Sequence, residues 1–263
     1  MPEGHTVHRL ARDQTADLAG HAVRTSTVQE RFADGARRLD GRRIEKVEAY
    51  GKQMFQWWDG GEILHVHLGL IGKWKRRPSP PPPPVGEVRL RLEGPTHTWD
   101  LAGAITTQIV DPGTRQAIIA KLGPDPLRRG ADPERMWTAL QRRRQPIGAV
   151  LLDQAVVAGI GNVYRAELLF LTGVHPLRPA NAVTRDEFDA LWAETVRQLR
   201  LGVRRNRIVT VAPAELRQPF SKLEREEVVY VYHQSHCRWC GSELEVIPLG
   251  GRRIWACPVH QPR

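Results

Sequence analysis

Apolar positions change their period twice along the chain. Val7, Leu10, Ala11 and Leu18 recur at helical spacing while Arg9, Arg12 and Asp13 face away, which predicts an amphipathic helix ending near Gly20. From Arg43 the period becomes two. Ile44, Val47 and Ala49 lead to Gly51-Lys52, and Gln53 to Trp58 then runs into the turn residues Asp59-Gly60-Gly61. Ile63 to Leu68 and Val88 to Leu92 supply further strands, and short strands between turn signals predict a β-sandwich. Beyond Asp132 the helical period returns. Asp132 caps and Pro133 opens a helix with Met136, Trp137 and Leu140 on its apolar face. Ile147 to Val157 predicts a second helix and Val163 to Leu171 a third, stopped by Gly173. Thr184 with Glu187 is a capping box that starts a fourth, running through Phe188, Leu191, Trp192 and Leu199 to Gly202.

These elements define an α+β chain: a domain over 1–115 made of a helix and a β-sandwich, a linker over 116–131 around Gly123-Pro124-Asp125-Pro126, a helical domain over 132–227, and a small terminal module over 228–263. The tract from Pro78-Ser79-Pro80 to Pro84 cannot join a sheet and reads as a stiff polyproline II loop on the surface.

Charge sets the partner class. With 39 Lys+Arg against 29 Asp+Glu the chain carries +10, which suits nucleic acid or an anionic membrane surface. No apolar run of about 18 residues and no signal-peptide core is present, so a soluble intracellular protein without membrane attachment is expected. All three cysteines follow residue 236. Cys237-Arg238-Trp239-Cys240 and Cys257-Pro258-Val259-His260 form two knuckles, with a Gly250-Gly251 hairpin turn between them. Three thiolates and one imidazole at this spacing make a closed, structural zinc site, and Arg252 and Arg253 lie at the hairpin tip as a fork for phosphate.

Several residues carry two readings. Removal of Met1 leaves Pro2 as a secondary amine followed by the carboxylate of Glu3, a nucleophile beside a proton carrier; Pro-Glu is equally a good start for a surface helix. Lys52 follows a glycine at a strand junction, where a lysine is ordinarily just solvated. His65 and His67 share one strand face and read as satisfied strand histidines rather than metal ligands. Leu70 is either core or an exposed tip of the kind wedged between bases. Gly159-Ile160-Gly161-Asn162 permits a sharp turn with Asn162 capping the next helix, which is either a phosphate seat or only a turn.

Together, Pro2-Glu3-Gly4, Gly51-Lys52, the stretch from Leu151-Leu152-Asp153-Gln154 to Gly159-Ile160-Gly161-Asn162-Val163-Tyr164-Arg165-Ala166-Glu167 and the terminal knuckles resemble the formamidopyrimidine-DNA glycosylase/endonuclease VIII family over essentially the whole chain. The resemblance implies a helix-two-turns-helix DNA-binding domain over 132–227, a zinc-finger β-hairpin over 228–263, and a bifunctional glycosylase and abasic-site lyase of base excision repair. It implies Pro2 as the imine-forming nucleophile at the damaged nucleotide's C1′, Glu3 as proton shuttle, and Lys52 as a phosphate contact that assists proton transfer. It also implies Asn162 and Arg252 on backbone phosphates and Leu70 in the gap left by a flipped base.

Four departures qualify it. His260 stands where the family uses a fourth cysteine. The approach from Tyr232 to Cys237 is short. Gly4-His5-Thr6 lacks the Leu-Pro-Glu of the oxidised-purine branch, and Gly69 and Ile71 around Leu70 differ from the bulkier gap-filling set. The expectation is therefore a monomeric, cytoplasmic, nucleoid-associated enzyme that holds one structural zinc. It acts on double-stranded DNA with oxidised bases, pyrimidines foremost, or abasic sites, and cleaves by β,δ-elimination. The rival readings are an oxidised-purine glycosylase and a non-catalytic damaged-DNA-binding protein.

Overall fold

A computed structural model describes residues 2–216, 218–219, 222–224 and 226–263. The chain forms two compact units, Met1–Lys121 and Leu122–Arg263. In the first, helix α1 (Gly4–Leu18) buries Val7, Ala11 and Leu18. After β1 (Arg24–Ser26) and helix α2 (Ala33–Leu39) come β2 (Ile44–Tyr50), β3 (Gln53–Trp58), β4 (Ile63–His67), β5 (Lys73–Pro78), β6 (Val88–Glu93), β7 (His97–Ala102) and β8 (Thr106–Val110). They pair as two antiparallel four-stranded sheets, in the orders β1-β6-β7-β5 and β2-β3-β4-β8. Val47, Met54, Trp58 and Val66 of one sheet share a core with Leu90, Leu92, Trp99 and Leu101 of the other, and α1 joins it through its apolar stripe. This is the expected sandwich.

The outer face of β3-β4-β8 is covered by helix α3 (Pro112–Ala120), whose Ile118 and Ile119 pack on Phe55, Ile63 and Val110. Residues 116–120, expected in the linker, are therefore helical. Asp111 caps α3 by accepting from Thr114 N–H at 2.7 Å, with a proline in the first turn. The nearby Gly-Pro signals mask that start in the sequence.

The second unit contains α4 (Pro133–Gln141), α5 (Ile147–Val150), α6 (Asn162–Leu171), α7 (Arg185–Arg205) and a hairpin of β9 (Glu245–Leu249) with β10 (Arg252–Ala256). The capping box of Thr184 and Glu187 opens α7 as read. The helix expected over Ile147 to Val157 instead stops after Val150. Asp153 accepts from Ala155 N–H at 2.9 Å, and Gln154 accepts from Gly159 N–H while donating to the carbonyls of Leu152 and Ile160, each at 3.0 Å. Polar side chains that bond their own backbone break the helix into turns. Helix α6 is buried from Asn162 to Phe170 and forms the centre of this unit.

Candidate active site and metal centre

In the first unit Pro2 is half-buried at the entrance to α1, and Glu3 is fully buried as its N-cap. The Glu3 carbonyl accepts from Thr6 N–H at 2.9 Å and Val7 N–H at 3.3 Å, so the first turn of α1 fixes the peptide next to the amine. Met1 lies outside the described residues. His5, buried beside this turn, is held neutral: burial, then the positive amino terminus and His8, push its pKa down to about 3.

Lys52 is half-buried in the β2–β3 turn, which Gly51 makes possible at φ 55°. His67, paired with Gln53 across the β3–β4 ladder, has its pKa lowered by burial and by the charge of Lys52, so these two side chains face one field. His65 bonds Gln53 at 2.8 Å and Gln108 at 3.1 Å and stacks on Phe55 at 4.9 Å, which makes it the satisfied strand histidine expected. Leu70 is 60% exposed, so the core reading fails. Ile71 and Ile105 are exposed with it, and a Cβ on Gly69 would stand 3.1 Å from Ile105, which places the two loop tips side by side. Sequence reasoning missed Ile105, because a lone isoleucine between small residues carries no periodic signal.

In the second unit Asn162 is the first residue of α6 rather than its cap, which is Gly161 in extended conformation. The asparagine side chain instead donates to the Arg253 carbonyl at 3.2 Å. Arg165, fully buried and given no role of its own by the sequence, donates to the carbonyls of Gly148 at 2.8 Å, Leu249 at 3.2 Å and Arg253 at 3.3 Å. Two side chains of one helix thus tie down the backbone on both sides of the hairpin turn. Gly250 and Gly251, at φ 63° and 70°, turn it tightly, and Arg252 and Arg253 remain exposed beyond the tie.

The ligand atoms of Cys237, Cys240, Cys257 and His260 all lie within 4.8 Å of one another. Cys240 Sγ and Cys257 Sγ are 3.6 Å apart, close to the edge of a tetrahedron built on metal–sulfur bonds of about 2.3 Å. The His260 Nε2 is buried without a hydrogen-bond partner among the described residues. A buried imidazole nitrogen left unpaired beside three thiols fits a bound metal ion. Gln261 supports the second knuckle by accepting from Cys257 N–H at 3.0 Å and donating to the Val174 carbonyl at 2.9 Å.

One unit thus holds a helix entered through a glycine turn and tied to a finger-like hairpin, and the other is a β-sandwich. Two family models match: the formamidopyrimidine-DNA glycosylase N-terminal domain over residues 1–103 and the formamidopyrimidine-DNA glycosylase H2TH domain over residues 122–212. An endonuclease 8 of Mycobacterium tuberculosis is 42% identical over 267 residues, covering 99% of this chain and 100% of that one. A formamidopyrimidine-DNA glycosylase of Desulfitobacterium hafniense is 31% identical over 237 residues, covering 89% and 86%. A Lactococcus lactis Fpg crystallised with abasic-site DNA superposes with a TM-score of 0.83 at 21% identity, over 99% of this chain and 100% of that one. The chain belongs to the formamidopyrimidine-DNA glycosylase family, whose members are DNA glycosylases with abasic-site lyase activity.

Proposed function

We propose that this enzyme excises oxidised pyrimidines from double-stranded DNA and cleaves the resulting abasic strand by β,δ-elimination. The observation that carries the reading is the start of α1, where Pro2, a secondary amine once Met1 is removed, stands directly before the fully buried Glu3. Gly4-His5-Thr6, in place of the Leu-Pro-Glu of the oxidised-purine branch, supports the pyrimidine class. A proline amine freed of Met1 is partly unprotonated near neutral pH, since α-amino groups titrate at about 7.7–8.0. Its lone pair attacks C1′ of an extruded nucleotide, the glycosidic electron pair leaves with the base, and Glu3 supplies the proton that opens the sugar ring. The iminium so formed acidifies C2′, which drives loss of the 3′ and then the 5′ phosphate. Lys52 holds a phosphate beside the amine and assists the proton transfers. Asn162, Arg252 and Arg253 hold backbone phosphates, and Leu70 fills the vacated position in the stack. Zinc, held by Cys237, Cys240, Cys257 and His260, supplies rigidity to the hairpin and takes no part in the chemistry.

Borohydride trapping on DNA carrying dihydrouracil or an abasic site tests this. The expected result is an adduct whose mass maps to the peptide beginning at Pro2. A trapped internal lysine, or efficient cleavage with no adduct, overturns Pro2 as nucleophile. Single-turnover rates on matched duplexes separate the lesion classes, and 8-oxoguanine excised faster than thymine glycol and dihydrouracil would favour the oxidised-purine reading instead.

A further inference from the structure

The loop between β5 and β6 has no part in the chemistry described above. It runs from Ser79 through five consecutive prolines, Pro80 to Pro84, to Val85, which is 81% exposed. Pro80, Pro82, Pro83 and Pro84 are all exposed. A proline has no backbone N–H and a φ fixed near about −65°, so the tract can neither extend the β5-β7 sheet nor collapse into a helix.

The tract is nevertheless held at defined points. Ser79 N–H donates to the Thr96 carbonyl at 2.9 Å, and its hydroxyl lies 2.9 Å from the Thr98 hydroxyl. Arg91, buried and paired with Asp100, donates to the Pro82 carbonyl at 2.9 Å. Pro83 and Pro84 lie beyond that anchor with no hydrogen bond of their own among the described residues. A proline tract ordinarily lies on the surface without fixed points; here a buried arginine fastens it at Pro82 while Pro83 and Pro84 stay exposed.

We infer that the Pro80–Pro84 tract is a docking ligand for a partner protein whose proline-binding groove is lined with tryptophan and tyrosine. Aromatic grooves recognise proline tracts because the rings stack flat on the pyrrolidine faces while indole N–H and phenol O–H groups donate to the exposed carbonyls. The anchors at Ser79 and Pro82 hold the backbone before binding, which lowers the ordering cost of association. DNA is a poor occupant for this surface. The prolines bring no charge, and the adjacent Arg76 and Arg77 are already paired with Asp17 and Asp100.

The test titrates an isotope-labelled WW domain of the polyproline-binding class with the full-length, metal-loaded protein. Resonance shifts confined to the domain's aromatic groove are expected. A Pro83→Ala/Pro84→Ala variant should bind at least about tenfold more weakly, a difference of about 1.4 kcal/mol, with unchanged metal content, melting temperature and lesion excision. The inference is overturned if no groove shifts occur at about 1 mM protein, where an affinity near about −4 kcal/mol would still register. It is equally overturned if the variant binds the domain as well as the parent, or if the substitutions weaken DNA binding while the domain fails to bind either protein.

Discussion

The two units bury carboxylates by opposite means. In the sandwich, Asp17 accepts from Arg76 at 2.6 and 2.7 Å and from Trp99 Nε1 at 2.9 Å, and Asp100 accepts from Arg91 at 2.7 and 2.9 Å. These are side-chain pairs between elements that already have backbone ladders. In the helical unit, Glu167 of α6 accepts from the backbone N–H groups of Tyr230 at 2.7 Å, Val231 at 2.9 Å and Tyr232 at 2.8 Å, and also from the Thr210 hydroxyl. Residues 230–232 have no ladder, so the carboxylate replaces one. The difference shows where each unit needs polar specification: the sandwich uses it to seat α1 and its strands, and the helical unit uses it to hold the irregular chain that leads into the metal knuckles.

Removing Glu167 should therefore have the largest effect. Glu167→Ala takes the shared acceptor from the buried amides of Tyr230 and Val231 and the part-buried amide of Tyr232, and leaves the Thr210 hydroxyl only the longer contact to the Val228 carbonyl at 3.4 Å; at about 1–3 kcal/mol for each buried donor left unmet, about 3–5 kcal/mol of stability should be lost. Melting of the helical unit and metal retention under mild chelation would show it. Burial pushes the Glu167 carboxyl up while the four donors pull it down, and Glu167→Gln should fall between the parent and the alanine variant. An alanine variant as stable as the parent would mean that water replaces the carboxylate without cost.

Asp17→Ala breaks the other kind of site and should cost less, about 1–3 kcal/mol. Arg76 is 48% exposed on its side chain and can recover water, so the chief loss is the buried Trp99 N–H left without its acceptor. Thermal melting of Asp17→Ala and Asp17→Asn compares the two contributions, and a loss larger than that of Glu167→Ala would reverse the proposed contrast.

How much of this was legible beforehand follows the same division. The knuckle spacing, the Gly250-Gly251 turn and the capping box are local patterns, and all three appear where the sequence puts them. The sandwich was legible from β2, β3, β4 and β6. The strands β5, β7 and β8 were not, because Lys73-Trp74-Lys75-Arg76-Arg77 and Thr106-Thr107-Gln108 are too polar to show a period of two. Glu167 stands inside a recognised motif, yet nothing near it in sequence announces that residues 63 to 65 positions later supply its donors. Asp17 and Arg76 are likewise 59 residues apart. At the candidate site, the place of Arg252 and Arg253 at the hairpin tip was readable, whereas for Leu70 the sequence left core and exposed tip open and its exposure settled it. The clamp of Arg165 and Asn162 on the Arg253 carbonyl was not readable, since it depends on how a helix meets a hairpin 88 to 91 residues away.

Acid should act on the sandwich through a neutral buried histidine. His65 is 5% exposed and its pKa is lowered to about 4 by burial and then by His67. The folded state therefore binds fewer protons than the unfolded one between about pH 6.5 and 4. Stability from this group is complete above that window and is lost as pH falls through it, at up to about 1.4 kcal/mol per pH unit. Denaturant unfolding at pH 7 and pH 5 should show the loss in the parent and a shallower dependence in His65→Gln, whose amide can still bridge Gln53 and Gln108. An unchanged slope would assign the acid sensitivity to other groups, His5 first.

The smallest expected effect lies at the start of α7, where the helical unit again satisfies backbone groups with side chains, but at its surface. Thr184 accepts from Glu187 N–H at 3.3 Å, and Glu187 accepts from Thr184 N–H at 2.8 Å and from Arg178 at 2.5 and 2.8 Å. Its pKa is lowered to about 2, chiefly by Arg178 and then by the Thr184 amide, so its contribution is complete above the ordinary carboxylate range and disappears only in strong acid. Thr184→Ala should cost about 1 kcal/mol, the usual value of a lost helix cap, because water reaches the freed amides. Thr184→Asp should restore most of that, since an aspartate accepts the same bond and also favours the positive helix end. If Thr184→Ala proved as damaging as Glu167→Ala, solvent access would not be what separates the two sites, and the contrast between backbone-held and arginine-held carboxylates would have to rest on the number of donors alone.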